Sequence, residues 1–467
     1  MKDFNHLPKR KKCILISPPQ LDKSCPRGIL SLGTFLESKG YPTAVIPLSY
    51  YLNYDSNYST EKLRSVLSDI ITENDPIMIG VSCMTSDFKT CANILKLCKE
   101  LNESIVTVIG GIHPTFLDED CIRLKAIDIV VRGEGEWTLL ELISALEQET
   151  DLNSIQGLTF KHNGQIVRTP DRSLGNLEEL PPLNFGLLPD TFVQKALVFG
   201  MLSRGCAFNC RFCADKRFWK RVRSFPVGHI IHEMETLSHS YKNPMTALED
   251  NMIYIGSKRF SELCFEIKDR KIPLGQGFYV MSRVDSIIDD QGLKDMDGTG
   301  IKYVLVGIES GSQKVLDRMN KKTNPEIIIK GCKKLKESNR NPTSIWILGH
   351  PGDNAKESEK SLSFLEYLLE RDLLHSAHFT YFIPWPGTQF FDAPEKHDIE
   401  ILTNEWSTWG YREKDGKRRP LCQLKDFSAD EMTRWYYKAN EIITKYAAHP
   451  DWLVDAGLSL GTNRNKK

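Results

Sequence analysis

Three of the twelve cysteines, Cys206, Cys210 and Cys213, lie within one stretch of eight residues. Their spacing is C-x3-C-x2-C, and no second cysteine pair lies nearby, whereas a structural zinc site usually needs four closed ligands. Three thiolates on one loop can instead hold three irons of a [4Fe–4S] cluster and leave the fourth iron open to another ligand. The pattern therefore favours an iron–sulfur cluster over zinc.

The open iron is the feature that points to catalysis. It can chelate the amino and carboxylate groups of S-adenosylmethionine (SAM) and pass one electron into the sulfonium, which yields a 5′-deoxyadenosyl radical. Phe212, directly before the third cysteine, is expected to shield the cluster. The other nine cysteines are scattered among apolar or helical stretches, where a free thiol behaves as a small hydrophobic side chain.

The composition is that of a soluble protein with more than one domain. The 467 residues include 61 basic and 61 acidic side chains, and 40% are hydrophobic. A net charge of zero creates no global field towards nucleic acid or an anionic membrane, so neither is an expected partner. The first apolar run, Cys13–Ile16, is far shorter than the roughly 20 residues of a spanning helix, and we expect a cytoplasmic protein with reduced cysteines.

Residues 1–150 alternate short β-rich runs with helical patterns, which predicts a doubly wound parallel sheet of the Rossmann-like α/β class. Ligands of such sheets bind beyond the carboxyl ends of the strands. Two predicted strand ends carry glycines that would let a ligand approach the backbone, although a lone glycine pair more often makes a tight turn. The residues of interest there are Gly110, Gly111, His113, Gly133 and Glu134.

The rest of the chain is predicted to form three further regions. Residues 151–195 read as a hairpin around Asn163-Gly164 followed by a linker. Six apolar runs between residues 196 and 390 predict a partial β/α barrel. Residues 391–467 are expected to be a short helical region, with a capping box at Ser428–Glu431 and a frayed tip at Asn463–Lys467.

Taken in order, these motifs resemble the radical SAM enzymes that carry an N-terminal cobalamin-binding domain. The resemblance covers roughly residues 10–390 and implies a partial (βα)6 barrel, SAM across its strand ends, and cobalamin above SAM with the substrate between them. Besides the cysteines, the motifs that carry it are Gly110–Thr115, Val131–Glu136, Leu248–Asn251, Ser282–Asp285, Val306–Ser312, Gly349–Asp353 and Pro384–Thr388.

Two departures from the family pattern bear on the cofactors. Many cobalamin proteins carry an Asp-x-His-x-x-Gly loop whose histidine binds cobalt from below, but here the first strand leads into Ser17–Gln20. Radical SAM members often lack that histidine, and some relatives keep the fold without the cofactor. The usual Gly-Gly-Glu motif of the SAM site is replaced by Leu248–Asn251, as in this subfamily.

The resemblance, with the charges at predicted strand ends, implies a SAM site. Glu309 is expected to accept from SAM donors, and Arg283 to form a bidentate contact with the SAM carboxylate. The alternatives are a pairing of Glu309 with a nearby Arg or Lys, and an ion pair of Arg283 with Asp285 or Glu309. His350 can face either a cofactor or the substrate. The other residues assigned to SAM are Glu249, Ser282 and Ser310.

The function implied is methylation of an unactivated carbon of a small metabolite or natural-product intermediate. In the expected reaction the radical removes a substrate hydrogen, cobalamin delivers the methyl group, and a second SAM restores it. A reductant such as flavodoxin or ferredoxin would supply electrons. One alternative is a non-methylating radical SAM enzyme that catalyses dehydration, rearrangement or oxidative cyclisation, with the first domain as a scaffold. An iron–sulfur sensor or electron carrier is a third, and would not need Glu309 or Arg283.

Overall fold

The computed structural model describes residues 12–19, 23–55, 57–287, 290–409 and 418–447. These residues form two compact units, which divide the chain between Ala196 and Leu197. The hairpin segment that begins near residue 151 belongs to the first unit, and the segment that begins near residue 391 belongs to the second.

The first unit is built on a seven-stranded sheet in the order β2-β1-β3-β4-β5-β6-β7. Strands β1 to β5 are parallel, as the alternating pattern predicts. The strand order reverses between β1 and β3, which makes their carboxyl ends the switch point where ligands bind in such sheets. The strands are β1 Lys12–Ser17, β2 Thr43–Pro47, β3 Pro76–Ser82, β4 Val106–Gly110, β5 Ile129–Val131, β6 Leu158–His162 and β7 Gln165–Arg168.

The predicted hairpin is present and extends this sheet. Strands β6 and β7 pair antiparallel, and β6 also pairs antiparallel with β5. Asn163 and Gly164 in the connecting turn both have positive φ, 50° and 78°, which is the geometry of a tight two-residue hairpin turn.

The second unit contains a six-stranded parallel sheet whose strands follow one another in chain order. Its first and last strands, β8 and β15, are not paired with each other among the described residues, so the sheet is an open one. Two short antiparallel strands, β9 and β10, flank the cysteine segment. The strands are β8 Phe199–Gly200, β9 Ser203–Arg204, β10 Arg223–Ser224, β11 Ala247–Leu248, β12 Tyr279–Ser282, β13 Tyr303–Glu309, β14 Asn341–Leu348 and β15 Ser376–Tyr381.

Helices connect the strands of both sheets, and several begin at side-chain caps. Before α14, which begins at Pro325, the Asn324 side chain accepts from the N–H of Ile327. Before α15, which begins at Ala355, the Asn354 side chain accepts from the N–H of Glu357. The helices of the first unit are α1 Arg27–Ser38, α2 Leu48–Tyr51, α3 Thr60–Asn74, α4 Phe88–Leu101, α5 Ile112–Phe116, α6 Asp118–Arg123, α7 Glu136–Gln148 and α8 Asp190–Val193. Those of the second are α9 Asp215–Trp219, α10 Val227–His239, α11 Lys258–Asp269, α12 Asp290–Asp295, α13 Gln313–Arg318, α14 Pro325–Glu337, α15 Ala355–Glu370, α16 Gln389–Asp392 and α17 Ala429–Tyr446.

The C-terminal region holds the predicted helix and, in addition, a short strand pair that the sequence did not predict. Strand β16 (Ile399–Ile401) pairs antiparallel with β17 (Cys422–Leu424), and runs of only three residues leave too little periodicity to be recognised in a sequence. Helix α17 begins at the predicted capping box of Ser428 and Glu431. The tip Asn463–Lys467 lies outside the described residues. No helix among the described residues has the length and apolar character needed to cross a membrane.

Candidate functional site

The three cysteines lie on a loop that follows β9 in the second unit. All three side chains are half-buried, whereas the other nine cysteines are buried. Gly205, directly before Cys206, has a φ of 92°, and a Cβ built there would lie 2.5 Å from the carbonyl oxygen of Arg221. A glycine is therefore required where the chain enters the cysteine loop.

The beginning of the cysteine loop is held by the residues that follow β11. The buried carboxylate of Asp250 accepts from the N–H of Leu202 and from the hydroxyl of Ser203, both at 2.6 Å. The amide of Asn251 accepts from the N–H of Gly205 at 2.9 Å and donates to Asp215 at 2.7 Å. The motif that replaces Gly-Gly-Glu therefore anchors both sides of the loop.

The middle of the loop is held by the segment that follows α13. The N–H of Arg211 donates to the carbonyl of Met319 at 2.9 Å, and the Asn320 side chain donates to the carbonyl of Asn209 at 2.7 Å. These bonds are anchored at both ends by backbone atoms or short side chains. They therefore restrict where the thiols of Cys210 and Cys213 can lie.

Arg283, which follows β12, contacts the cysteine loop directly. Its Nη1 lies 3.6 Å from the sulfur of Cys210, and its guanidinium stacks on the ring of Phe208 at 3.8 Å. Its Nε and Nη2 atoms donate to the carboxylate of Asp285 at 2.9 and 2.7 Å, and the second N–H of Nη2 donates to the carbonyl of Lys321. Four of its five N–H donors are thus used within the protein, and one remains on Nη1.

Glu309, at the end of β13, forms a buried ion pair with Lys321. The Lys321 ammonium lies 2.7 Å from Oε1, and both side chains are less than a tenth exposed. Glu309 has a φ of 67°, a left-handed conformation that costs a non-glycine residue of order 1–3 kcal/mol. A Cβ at Gly307 would lie 2.3 Å from that same Oε1, so the glycine leaves the space that the ion pair occupies.

The surroundings of the thiols suit binding to iron. Burial raises the pKa of the Cys210 thiol, and the cations Lys321 and Arg283 act in the opposite direction. Burial also raises the pKa of Cys213, with a further contribution from Asp215. Bonding to iron removes the thiol proton, and two cations beside Cys210 then stabilise the negative charge that remains.

The donor set fits an iron–sulfur cluster. Among the described residues no three His, Cys, Asp or Glu side chains converge on a single metal ion. Thiolates that each bind a different iron of a cluster are spread around it and need not converge on one point. Three half-buried thiols on one anchored loop, with cations behind one of them, meet that requirement.

Three other residues assigned to SAM lie at or near the carboxyl edge of the six-stranded sheet, and each is bonded within the protein. Glu249 follows β11 and accepts from the hydroxyl of Tyr279. The Ser282 hydroxyl donates to the carbonyl of Ile253 at 2.7 Å, and the Ser310 hydroxyl lies 2.9 Å from that of Ser361. Glu309 and Arg283 likewise have the protein partners that the sequence allowed as alternatives.

In the first unit, Gly110 and Gly111 lie beside the switch point of the sheet. Gly111 has a φ of 110°, and a Cβ there would lie 2.7 Å from the carbonyl oxygen of Cys83, which follows β3. The N–H of Cys83 donates to the carbonyl of Gly110 at 2.8 Å. The glycine pair therefore lets two neighbouring strand-end loops come together.

The remaining cobalamin candidates differ in accessibility. Gly133 follows β5 with a φ of 71°, and a Cβ built there meets no atom within 4 Å, so its backbone is open to a ligand. Glu134 beside it is half-buried. His113, in contrast, is 1% exposed and packs against Phe88, with the two ring centroids 4.5 Å apart. Burial lowers its pKa to about 4. It is a neutral interior side chain.

Sequence reasoning placed Asp250 and Asn251 in the motif that replaces Gly-Gly-Glu, but missed that these two residues and Lys321 support the cysteine loop. Asp250, Asn251 and Lys321 each hold the cysteine segment or a residue that contacts it. A signal existed for the first two, because a carboxylate and an amide that directly follow a buried strand need partners at its carboxyl end. Lys321 gave no such signal, since a lysine within a polar stretch is usually exposed.

Comparison with known proteins identifies the family of this chain. Residues 201–365 match the model of the radical SAM superfamily, and residues 23–143 match that of the B12 binding domain. An uncharacterised methyltransferase of Pyrococcus horikoshii is 30% identical over 437 residues, which is 92% of each chain. The chain belongs to the radical SAM enzymes with a cobalamin-binding domain. The expected cofactors, a [4Fe–4S] cluster, SAM and cobalamin, are confirmed by these domains.

Other proteins of known name or structure resemble this radical SAM enzyme. The anaerobic magnesium-protoporphyrin IX monomethyl ester cyclase of Rubrivivax gelatinosus is 29% identical over 392 residues, which is 80% of this chain and 68% of that protein. The solved radical SAM methyltransferase of Kitasatospora setae, with cobalamin and a [4Fe–4S] cluster bound, superposes with a TM-score of 0.73 at 16% identity. It covers 93% of this chain and 91% of that one. The predicted α/β fold class, in this order of domains, is confirmed.

Proposed function

We propose that this radical SAM enzyme methylates an unactivated carbon of a small molecule. The proposal rests on one observation, the presence in a single chain of an anchored three-cysteine loop and a cobalamin-binding domain. The methyltransferase of Pyrococcus horikoshii, 30% identical along 92% of its length, supports it. When bound, the cluster and SAM supply a carbon radical, and cobalamin supplies the methyl group.

The protein's own contribution to this reaction is to hold the thiols and bind the cofactors. Arg283 and Lys321 place positive charge beside Cys210, and Asp250 and Asn251 fasten the chain ahead of Cys206. Rigid support of this kind fixes the reacting groups to within a fraction of an ångström, which is where much of the rate enhancement arises.

The SAM site is proposed at the carboxyl edge of the six-stranded sheet. Glu309 accepts from SAM donors there, while Lys321 keeps its charge compensated. Arg283 offers its one remaining N–H to the SAM carboxylate, since a bidentate contact would have to displace Asp285. The other residues proposed to bind SAM are Glu249, Ser282 and Ser310.

The cobalamin site is proposed at the carboxyl edge of the first sheet. The open backbone at Gly133 and the glycine pair at Gly110 and Gly111 allow close approach of the cofactor. Glu134 and His113 complete the proposed set, with His113 as a packing residue behind the loop rather than a cobalt ligand. A protein reductant of the flavodoxin or ferredoxin type is proposed to deliver the electrons.

A non-methylating reaction is the second candidate, favoured by the 29% identical cyclase. The two candidates differ in their products from SAM. Methyl transfer consumes two SAM molecules for each product and releases 5′-deoxyadenosine and S-adenosylhomocysteine in equal amounts. Cyclisation or dehydration releases no S-adenosylhomocysteine.

The test uses enzyme purified without oxygen from cobalamin-fed cells. We expect a corrinoid band beside the broad cluster absorption, and transfer of a deuterated methyl group from labelled SAM to a carbon of the substrate, with the two products in a ratio of one. A ratio of 5′-deoxyadenosine to S-adenosylhomocysteine far above one, with no label transferred, would contradict methylation.

A second experiment tests the cluster ligands. The variant with Cys206, Cys210 and Cys213 changed to Ala should lose its cluster, which contains about four irons. The control variant Cys264→Ala, at a buried cysteine, should retain them.

A further inference from the structure

A cavity of about 500 Å³, open to solvent, lies beside the cysteine loop within the second unit. Its volume falls in the range of sites that bind small molecules. The wall is formed by separate parts of the chain, namely the cysteine loop, helix α13, the start of α15, the segment around α16, and the turn after β17. We call it the basic cavity, after the cations that line it: Arg211, Lys314, Arg318, Lys396 and Lys425.

The cations of the basic cavity are not held in close ion pairs, although Lys314 acts at longer range on the carboxylate of Glu357. None of the five forms an ion pair with any residue in the part of the chain that the structure describes. The one side-chain hydrogen bond among them, from Arg211 at 3.4 Å, goes to the carbonyl of Arg318. Exposed arginines elsewhere in the same unit do have carboxylate partners, for example Arg217 with Asp392 and Arg270 with Glu266, both at 2.6 Å.

The acidic residues of the wall leave an excess of positive charge. Only Asp353, Asp398 and Asp426 oppose the five cations. The Asp353 carboxylate is occupied internally, because it accepts from the N–H of Gly349 at 2.9 Å and from Ser358 at 3.0 Å. The positive charge of the wall also acts on His397, which lines the same cavity. The pKa of His397 is lowered first by burial and then by Arg318 and Arg211.

We propose that the basic cavity binds a small molecule that carries phosphate groups, with Arg318 and Lys396 among its contacts. Several unpaired cations from different elements that face one concave space suit a multiply charged anion. The planar fork of an arginine matches two phosphate oxygens, and a lysine adds a point charge. A recess favours a small ligand over the flatter face of a protein.

This site goes beyond the proposed methyl transfer, and its position links it to the cluster. Arg211 stands between Cys210 and Cys213, and its N–H is bonded to the carbonyl of Met319, next to Arg318. A ligand held by Arg318 therefore lies against the segment that anchors the cysteine loop. Binding can be measured without turnover, so a failure of this site and a failure of the methylation proposal are distinguishable.

The test is calorimetric titration of the cluster-loaded, full-length enzyme with pyrophosphate at physiological ionic strength. We compare the parent with Arg318→Gln/Lys396→Gln and with a control, Lys330→Gln/Lys333→Gln, which removes two charges from α14 outside the cavity. The parent and control should bind pyrophosphate equally. The cavity variant should bind it about tenfold more weakly, with an unchanged melting temperature, since both side chains are exposed.

Three results would overturn the proposal. The first is a dissociation constant of the parent above about 1 mM, and the second is equal affinity in the parent and the cavity variant. The third is the absence of pyrophosphate binding together with salt-dependent binding of flavodoxin that the cavity variant loses. The basic cavity would then be a docking surface for an acidic protein.

Discussion

The Nη1 atom of Arg283 lies 3.6 Å from the sulfur of Cys210, while Nε and Nη2 of the same guanidinium donate to the carboxylate of Asp285. Asp285 and the ring of Phe208 hold the guanidinium in place, so the contact does not depend on a freely moving side chain. Hydrogen bonds to cluster sulfurs and nearby charge set the reduction potential of an iron–sulfur cluster. This contact therefore connects the end of strand β12 to the ease with which the cluster accepts an electron.

Replacing Arg283 by Met should make the reduction potential of the cluster more negative, because the reduced cluster carries one more negative charge and loses a positive donor. If the contact with Arg283 stabilises the reduced cluster by about 1.4 kcal/mol more than the oxidised one, its loss shifts the potential of a one-electron couple by about 60 mV. A redox titration followed by electron paramagnetic resonance measures the shift. Arg270→Met, at an exposed arginine paired with Glu266, serves as control and should leave the potential unchanged.

Changing one partner of the ion pair between Lys321 and Glu309 should destabilise the protein more than changing both partners together. Lys321→Met leaves a buried, uncompensated carboxylate and should reduce the free energy of unfolding by about 3–5 kcal/mol. The double variant Lys321→Met/Glu309→Gln should recover a large part of this loss. Denaturant unfolding measures both, and a double variant no more stable than the single one would argue against the pair as the cause.

Glu309→Gln should weaken SAM binding while the cluster absorbance is retained. The amide oxygen can still accept from Lys321, but Lys321 loses its buried counter-charge, so the folded fraction of the variant is measured before SAM is titrated. Loss of one charge-assisted hydrogen bond costs about 1.5–3 kcal/mol, or roughly 10- to 150-fold in affinity. Calorimetry with SAM measures it, and Glu326→Gln, an exposed acid on α14, is the control. Unchanged SAM affinity with lost turnover would assign Glu309 to the substrate pocket.

Bound cobalamin should have no protein imidazole below the cobalt. The strand-end loop after β1 carries no histidine in Ser17–Gln20, and the ring of His113 is buried against Phe88. Electron paramagnetic resonance of the cob(II)alamin form should lack nitrogen superhyperfine splitting, and a sample with added imidazole provides the positive control. Splitting in the enzyme alone, lost in His113→Phe, would show that His113 does bind cobalt.

His350 should make the protein sensitive to acid. Its ring is fully buried among Phe212, Phe382 and Phe390, and burial lowers its pKa to about 3. The unfolded chain takes up a proton near pH 6.5 and the folded chain only near pH 3, so stability falls as the pH drops below 6.5. At pH 5 the loss is about 2 kcal/mol relative to neutral pH. His350→Gln should flatten this part of a stability curve, whereas His162→Gln, on the exposed hairpin, should not.

Local patterns in the sequence were sufficient for most of the architecture. The six strands of the second sheet were all predicted, because each is a short apolar run between helical patterns, as was the hairpin at Asn163-Gly164. The pair β16–β17 was missed, since three residues carry too little period. Local signals of this kind reflect backbone preference and burial, which neighbouring residues already determine.

The chemistry of the cysteine loop was also contained in the sequence, because ligand type and spacing within eight residues decide which metal centre is possible. What Arg283 and Glu309 contact was decided only by the tertiary structure. Their partners Cys210 and Lys321 come from other segments, 73 and 12 residues away in the chain. A side chain at a strand end meets whatever the fold brings beside it. A charged residue at a predicted strand end therefore indicates that a partner is needed. Only the packing of strands and loops determines which residue that partner is.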